Sequence, residues 1–165
     1  MKFNKRLTEG LLEETFRVII PIKAKIRTDS AEERDLLLDL NSEISSEVVE
    51  NVDYQLNKDL YPYLRDSKQD ISKQLNIEGE FKILHIDVDM ERYKHTPVME
   101  GTASFDVEID KPLDEGETQR IFNTLITNNA VYKEFTFTME DNYYDIFDVI
   151  VELEKAGDVE VEGLI

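Results

Sequence analysis

Residues 16–27, FRVIIPIKAKIR, alternate between apolar and mostly basic side chains, and this pattern restricts the fold more than any other in the chain. Successive side chains of a β-strand point to opposite faces, so the alternation predicts one long strand with an apolar face and a basic face. The apolar set is Phe16, Val18, Ile20, Ile22, Ala24 and Ile26, and the outward set includes Arg17, Lys23, Lys25 and Arg27. Pro21 lacks an N–H group, which predicts a bulge or a locally unpaired position.

Two further strands are predicted in residues 81–110. The first contains the stretch ILHIDVDM, the second reads TASFDVEID over residues 102–110, and residues 91–101 are predicted to connect them. Both alternate between apolar and polar side chains, which is typical of an antiparallel hairpin. The outward side chains of the second strand are acidic, namely Asp106, Glu108 and Asp110. Opposite charges directly across a sheet are favourable, so we expect the basic strand to lie beside this acidic strand.

A helical segment is predicted between the first two strands. Ser30 and Glu33 have the spacing of a capping box, which marks a helix start. Apolar residues then recur with helical spacing at Leu37, Leu40, Ile44, Val48, Val52, Leu56, Leu60 and Leu64. A helix continued to Leu75 would be about 65 Å long, too long for one compact domain, so we expect a break between residues 57 and 62. Asp59 would then cap a second helix, with Pro62 in its first turn.

The second half of the chain predicts a helix over residues 111–129 and a strand over residues 131–139. Residues 142–156 are ambiguous, because Val149 and its neighbours favour a strand. We assign a helix there, since Asn142 can cap it and Gly157 can end it. Residues 158–165 alternate between acidic and apolar side chains and predict a final strand, which could lie on the other side of the basic strand.

The order of these elements matches the split βαβ arrangement of ferredoxin-like sheets. The predicted fold class is therefore α+β: an antiparallel sheet in ferredoxin-like order, with helices on one face and an extended helical segment between strands one and two. The length predicts a single α+β domain over residues 1–165, in which residues 1–14 and 158–165 are peripheral.

Composition excludes several classes of function. The chain has no cysteine, which rules out disulfides, thiolate metal sites and cysteine nucleophiles. No apolar run reaches the ~18 residues that cross a bilayer, so we expect no membrane contact and a cytoplasmic location. The net charge of −18 repels phosphate groups, so direct nucleic-acid binding is not expected.

His85, Asp87 and Asp89 fall at alternate positions of the second predicted strand and would share one face, whereas the apolar face would hold Leu84, Ile86, Val88 and Met90. Imidazole and carboxylate groups suit Zn²⁺, Mn²⁺ or Fe²⁺, and Asp106 or Glu108 could add a ligand from across the hairpin. The pattern permits a divalent-metal site, with hydrolysis as its chemistry. The interpretation we favour is a solvated strand face without a cofactor, because an antiparallel sheet needs such alternation in any case.

Other signs of catalysis are absent from the sequence, which has no G-x-S-x-G elbow, no P-loop and no G-x-G-x-x-G motif. A non-enzymatic role is therefore favoured. Outward carboxylates two residues apart on a strand are roughly 6.5 to 7 Å apart, comparable with successive phosphates of a nucleic acid. They predict a module that binds a basic protein surface. The sharpest version is an inhibitor that mimics nucleic acid and occupies a nucleic-acid-binding enzyme, as DNA mimics encoded by phages do.

The residues expected to bind a partner belong to two groups. The first group is acidic and comprises Asp87, Asp89, Asp106, Glu108 and Asp110. The second is a loop cluster suited to an anionic contact and comprises Arg92, Tyr93 and Lys94. An alternative role is that of a structural subunit, in which the long helical segment packs on a second copy or another chain of a larger assembly.

Overall fold

The computed structural model describes residues 14–28, 42–75, 81–92, 97–109, 114–127, 132–140 and 146–163. Within these ranges the chain forms an antiparallel sheet of seven strands together with three helices, so the predicted α+β class is confirmed. The strands are β1 (Glu14–Thr28), β2 (Phe81–Ile83), β3 (Asp87–Arg92), β4 (Val98–Ile109), β5 (Glu134–Glu140), β6 (Ile146–Lys155) and β7 (Glu160–Gly163). The helices are α1 (Ser42–Asp66), α2 (Lys68–Leu75) and α3 (Glu115–Thr127).

Strand β1 lies in the middle of the sheet. It pairs antiparallel with β4 on one side and with β6 and β7 on the other. Arg17 lies opposite Asp106, so the prediction that the basic strand lies beside the acidic one is confirmed. Glu162 of β7 lies opposite Arg17 on the other side, where the last strand was expected.

Residues 146–155 form a strand, so the helix predicted over residues 142–156 is wrong in its described part. Phe147, Val149, Val151 and Leu153 are at most 7% exposed and alternate with more exposed residues. Burial with a period of two outweighs the capping and stop residues. As a result β6 takes the place beside β1 and β5 lies at the edge, so the ferredoxin-like split βαβ order is not confirmed.

Helix α1 continues through Pro62, so the break expected between residues 57 and 62 is wrong. A proline inside a helix removes one backbone hydrogen bond. However, Leu60 and Leu64 on either side of Pro62 are fully buried, and burial of these side chains favours one continuous helix.

The helical segment turns instead at Ser67. The Ser67 hydroxyl donates to the carbonyl of Tyr63 at 2.8 Å, and the Ile71 N–H donates to the Ser67 carbonyl at 3.0 Å. Ser67 therefore satisfies backbone groups at the end of α1 and at the start of α2. The predicted capping box of Ser30 and Glu33 lies outside the described residues.

Pro21 lies where the pairing on one side of β1 passes from β7 to β6. β7 pairs with β1 as far as Ile19, and β6 pairs with it from Ile22 onward. The Pro21 carbonyl points to this side, where it accepts from the Ala156 N–H at 3.2 Å. The missing N–H of Pro21 therefore faces the gap between the two partner strands, which confirms the predicted unpaired position.

The hydrophobic core lies on one face of the sheet. Every second residue of β1 from Phe16 to Ile26 is buried in it, as the alternation predicts. The described members of the stripe on α1 are buried in the same core, namely Ile44, Val48, Val52, Leu56, Leu60 and Leu64. These residues are therefore core residues and do not offer a surface to a second copy. None of the helices in the described ranges is both long and apolar enough to cross a bilayer.

Candidate functional site

A β-bulge separates β2 from β3. Ile83 lies opposite Val107 and Asp87 lies opposite Ser104, so three residues of one strand face two residues of β4. One extra residue in one strand interrupts the pairing and changes the direction of the following side chains. The bulge therefore decides which side chains of residues 83–87 reach the surface.

Both Leu84 and His85 point outward at the bulge, whereas Ile86 is fully buried. Leu84 was expected on the buried face with Ile86, and this prediction is wrong because the extra residue reverses the alternation. Leu84 is instead 37% exposed, and its N–H donates to the Asp106 carbonyl at 2.9 Å. The outward direction predicted for His85 is confirmed.

The side chain of Asn57 replaces the strand partner that Ile86 lacks. Its Nδ2 donates to the Ile86 carbonyl at 2.8 Å, and its Oδ1 accepts from the Ile86 N–H at 2.9 Å. The Nδ2 group also donates to the Asp53 carboxylate at 2.8 Å, which orients the amide. Backbone groups that leave a sheet inside a packed structure require such partners. Asn57 of α1 thus fixes the bulge, a role that the sequence pattern does not indicate.

The structure brings His85 and Asp87 into contact. His85 Nε2 lies 3.1 Å from Asp87 Oδ1, and the two side chains are 75% and 76% exposed. No group of three His, Asp or Glu side chains in the described ranges is arranged to hold a metal ion. The divalent-metal site therefore stays a prediction, and the contact between His85 and Asp87 is the one feature in its favour.

Outward carboxylates of β3 and β4 lie next to one another. Asp87 faces Ser104, two residues from Asp106, and Glu91 faces Glu100 directly. Residues opposite each other in a sheet share a face, so these groups form one surface. We define the acidic face as Asp87, Asp89, Glu91, Glu100 and Glu108.

Asp106 was expected to bind a partner, but it forms an ion pair with Arg17 on the neighbouring strand. Its two carboxylate oxygens accept from Arg17 Nε at 2.9 Å and from Arg17 Nη2 at 3.4 Å. The hydrogen bond from Arg17 to Asp106 raises the pKa of Arg17 above its usual value, and the charges of Glu162 and Asp87 add to this effect. Asp106 is thus largely neutralised, so it is not counted in the acidic face.

Lys25 and Arg27 of β1 also form ion pairs with carboxylates of the sheet. Lys25 Nζ lies 3.1 Å from Glu154 Oε2, and this hydrogen bond raises the pKa of Lys25. Arg27 forms an ion pair with Glu134 across β6. These cations therefore offset part of the charge of β5 and β6 rather than that of the acidic face.

Two members of the acidic face, Glu91 and Glu100, were not predicted. Residues 91–101 read as a connection, whereas β3 continues to Arg92 and β4 begins at Val98. The available signal was the spacing of Glu91, which continues the alternation of Asp87 and Asp89 by two residues.

The predicted loop cluster is placed only in part. Arg92 ends β3 opposite Met99. Tyr93, Lys94 and Asp110 lie outside the described residues. The contact with an anion that we expected from this cluster therefore stays a prediction.

Comparison with known protein families, with curated protein sequences and with solved structures finds no match to this chain.

Proposed function

We propose that this protein is a non-enzymatic binding module whose acidic face engages a basic surface of a partner protein. The observation that carries the proposal is the pair Glu91 and Glu100, which lie directly opposite each other across β3 and β4. Like charges in this position destabilise a sheet. Lys23 of β1 lies opposite Glu100 on its other side and offsets part of this charge, but neither carboxylate forms an ion pair within the described residues, so a Lys or Arg side chain from a partner would reduce the remaining repulsion.

The exposure of the acidic face supports the same proposal. Asp87, Asp89, Glu91 and Glu100 are all exposed, and Glu108 is half-buried. Charges that are already paired or screened contribute little to an encounter, whereas exposed carboxylates of one sign attract a basic surface over a distance of about 10 Å at 0.1 M salt. Arg17, Lys25 and Arg27 do not cancel this surface, because each is paired with another carboxylate, whereas Lys23 opposite Glu100 and Lys82 opposite Glu108 offset part of its charge.

The narrower form of the proposal is mimicry of a nucleic acid. Asp87, Asp89 and Glu91 occupy alternate positions of β3, where side chains of one face are about 6.6 Å apart. This spacing resembles that of successive phosphates, so the row suits a groove that normally holds a nucleic-acid strand. We place the protein in the cytoplasm, where proteins rarely form disulfides, so a chain without cysteine is at no disadvantage there.

The test compares two variants that lose the same amount of charge. The first carries Asp89→Asn with Glu100→Gln and alters the acidic face. The matched control carries Glu50→Gln with Asp70→Asn, two exposed carboxylates on α1 and α2. Fluorescence anisotropy would measure the dissociation constant of a labelled oligolysine for each protein at low salt.

We expect the variant of the acidic face to bind the oligolysine about fivefold to tenfold more weakly than the control, as two lost charge contacts imply. Equal affinities of the two variants would contradict the proposal, because binding would then depend on net charge alone. The narrower form further predicts that the wild-type protein displaces duplex DNA from the oligolysine, since both would occupy the same cations.

A further inference from the structure

We infer that the open edge of β5 binds an extended segment of the partner, which adds a strand to the sheet. β5 is seven residues long and pairs with β6 on one side. No other strand in the described ranges lies along its outer side. An unpaired edge presents a row of backbone N–H and C=O groups that can pair with another chain.

The register identifies the backbone groups that face this edge. The Leu153 N–H donates to the carbonyl of Lys133, the residue before β5, at 2.8 Å. Hydrogen-bonded and non-bonded pairs alternate in an antiparallel ladder, so the odd-numbered residues of β5 bond to β6. The backbone groups of the even-numbered residues therefore point to the open edge, and these residues are Glu134, Thr136, Thr138 and Glu140.

The outer edge of β7 is covered by α3. Gln119 Oε1 accepts from the Val161 N–H at 3.3 Å, and Asn123 Oδ1 accepts from the Val159 N–H at 3.1 Å. These two amides occupy donors that would otherwise face outward. On the far side of the sheet, the bulge at residues 84–86 and its contact with Asn57 interrupt the edge formed by β2 and β3.

β5 has neither of these protective features within the described ranges, although a glutamate stands at each of its ends. Its sequence, EFTFTME, contains no proline, no glycine and no lysine, and its pairing with β6 runs without a bulge. The side chains on its inner face are Phe135, Phe137 and Met139, none of them charged. Edge strands of monomeric proteins usually carry at least one such device. Because the residues between the two terminal glutamates carry no such device, we expect β5 to pair with a strand of another chain.

The inner face of β5 is also incompletely covered. Phe135, Phe137 and Met139 pack against the core but are only half-buried, whereas Val149 and Val151 on the neighbouring strand are fully buried. An added strand with apolar side chains on this face would bury the exposed part of the row. The residues of the added partner strand, here called the occupant, that face the core are therefore expected to be apolar.

The outer face of the same edge is acidic. Glu134 at one end of the strand is paired with Arg27, but Glu140 at the other end and Asp148 and Glu152 on β6 form no ion pair within the described residues. Opposite charges across a sheet are favourable, so the outward positions of the occupant are Lys or Arg. β1 itself has this alternation of apolar and basic residues, and it too lies between acidic strands. The occupant is thus an extended, β1-like segment of the partner. This identification rests on the proposed function for the basic character of the partner.

A second copy of the chain fits the edge less well. If two β5 strands paired antiparallel over their whole length, Glu134 of each would lie opposite Glu140 of the other. Two such pairs of like charges would oppose the association.

The experiment measures binding of a fluorescein-labelled peptide that alternates valine and lysine. A second peptide has the same sequence with N-methyl groups at alternate residues, which block the hydrogen bonds along one edge. The protein variants are Thr136→Pro, which removes an N–H that points to the open edge, and Thr136→Val, which keeps it. The β6 ladder is not altered by the proline, because Thr136 does not bond to β6.

We expect Thr136→Pro to bind the unmethylated peptide on the order of tenfold more weakly than Thr136→Val. Methylation of the peptide should weaken its binding to the wild-type protein in the same way, and this comparison holds even where the proline variant does not fold. Equal binding of both peptides would overturn the inference. If that binding were lost in the Asp89→Asn, Glu100→Gln variant, the proposed function would stand without strand addition. If the wild-type protein self-associated and Thr136→Pro abolished this self-association, the occupant of the β5 edge would be a second copy of the chain, and the inference of a partner segment would be overturned.

Discussion

Asn57 and Ile86 are joined through both ends of one side-chain amide, which donates to the carbonyl of Ile86 and accepts from its N–H. The contact links the middle of α1 to the bulge that precedes β3. Because β3 carries Asp87 and Asp89, the position of the acidic face depends on a helix residue that is not part of it. Stability and function are therefore coupled at this point.

Replacement of Asn57 by alanine should lower the free energy of unfolding by about 2 to 4 kcal/mol, because two backbone groups of Ile86 lose their partners. Urea denaturation would measure this change. The control is Asn51→Ala on the same helix, since within the described residues Asn51 donates only to the Glu47 carbonyl one turn earlier, at 2.8 Å. Similar losses in the two variants would show that the contact with Ile86 does not stabilise the fold.

Gly101 permits the close approach of β4 to β3. A Cβ atom at this position would lie 2.0 Å from the carbonyl oxygen of Asp89 and 2.6 Å from the Cα of Met90. Both are backbone atoms, so the strands would have to separate, and Gly101→Ala should cost about 3 kcal/mol. Gly116→Ala is the control, because its Cβ would meet only the Asp114 side chain, at 3.4 Å. Thermal unfolding should separate the two variants, and equal melting temperatures would contradict the close approach.

Tyr132 should make the protein sensitive to alkaline pH. Its hydroxyl is buried and has no hydrogen-bond partner among the described residues, and burial raises its pKa above the ordinary value of 10.0, with a further contribution from Asp158. Below pH 10.0 the phenol is neutral in both the folded and the unfolded chain. Above that pH the unfolded chain loses this proton more readily, so stability falls as the pH rises through the raised pKa.

Tyr132→Phe should therefore raise the free energy of unfolding by up to about 1 kcal/mol at neutral pH, since it removes an unsatisfied buried hydroxyl. It should also reduce the loss of stability in alkali. Tyr54→Phe is the control, because Tyr54 is 59% exposed. Lys25, whose pKa is raised by Glu154, loses its stabilising charge in the same alkaline range and leaves some pH dependence in both variants. Identical alkaline unfolding curves for the two variants would contradict the effect of burial.

The parts of the fold that follow from local alternation and charge could be predicted from the sequence. The faces of β1 and its place beside β4 are examples. A basic strand face is favoured beside an acidic one, and Arg17 and Asp106 lie opposite each other and form an ion pair. The strand at residues 146–155 was missed because plausible helix caps at either end favoured a helix. The alternation of this segment indicates a strand only once its apolar residues are known to be buried at every second position. The bulge at residues 84–86 could not be predicted, because an extra residue becomes visible only once the partner strand and its register are known.

The candidate site was predictable to a similar extent. Asp87, Asp89 and Glu108 lie on the outward face as their alternation indicated. Asp106 proved to be paired with Arg17, and Glu91 and Glu100 lay in residues that had been assigned to a connection. Pairing between strands decides which carboxylates stay free, and a single sequence does not show that pairing.

The salt dependence of oligolysine binding tests the role of the acidic face most directly. The dissociation constant would be measured for the wild-type protein and for the Asp89→Asn, Glu100→Gln variant over salt concentrations from about 0.01 to 0.3 M, across which the Debye length falls from ~30 Å to well under 10 Å. We expect the affinity of the wild-type protein to fall steeply with salt and that of the variant to fall less steeply. An affinity that does not change with salt, or identical salt dependence in the two proteins, would contradict the proposal that the acidic face binds a basic partner.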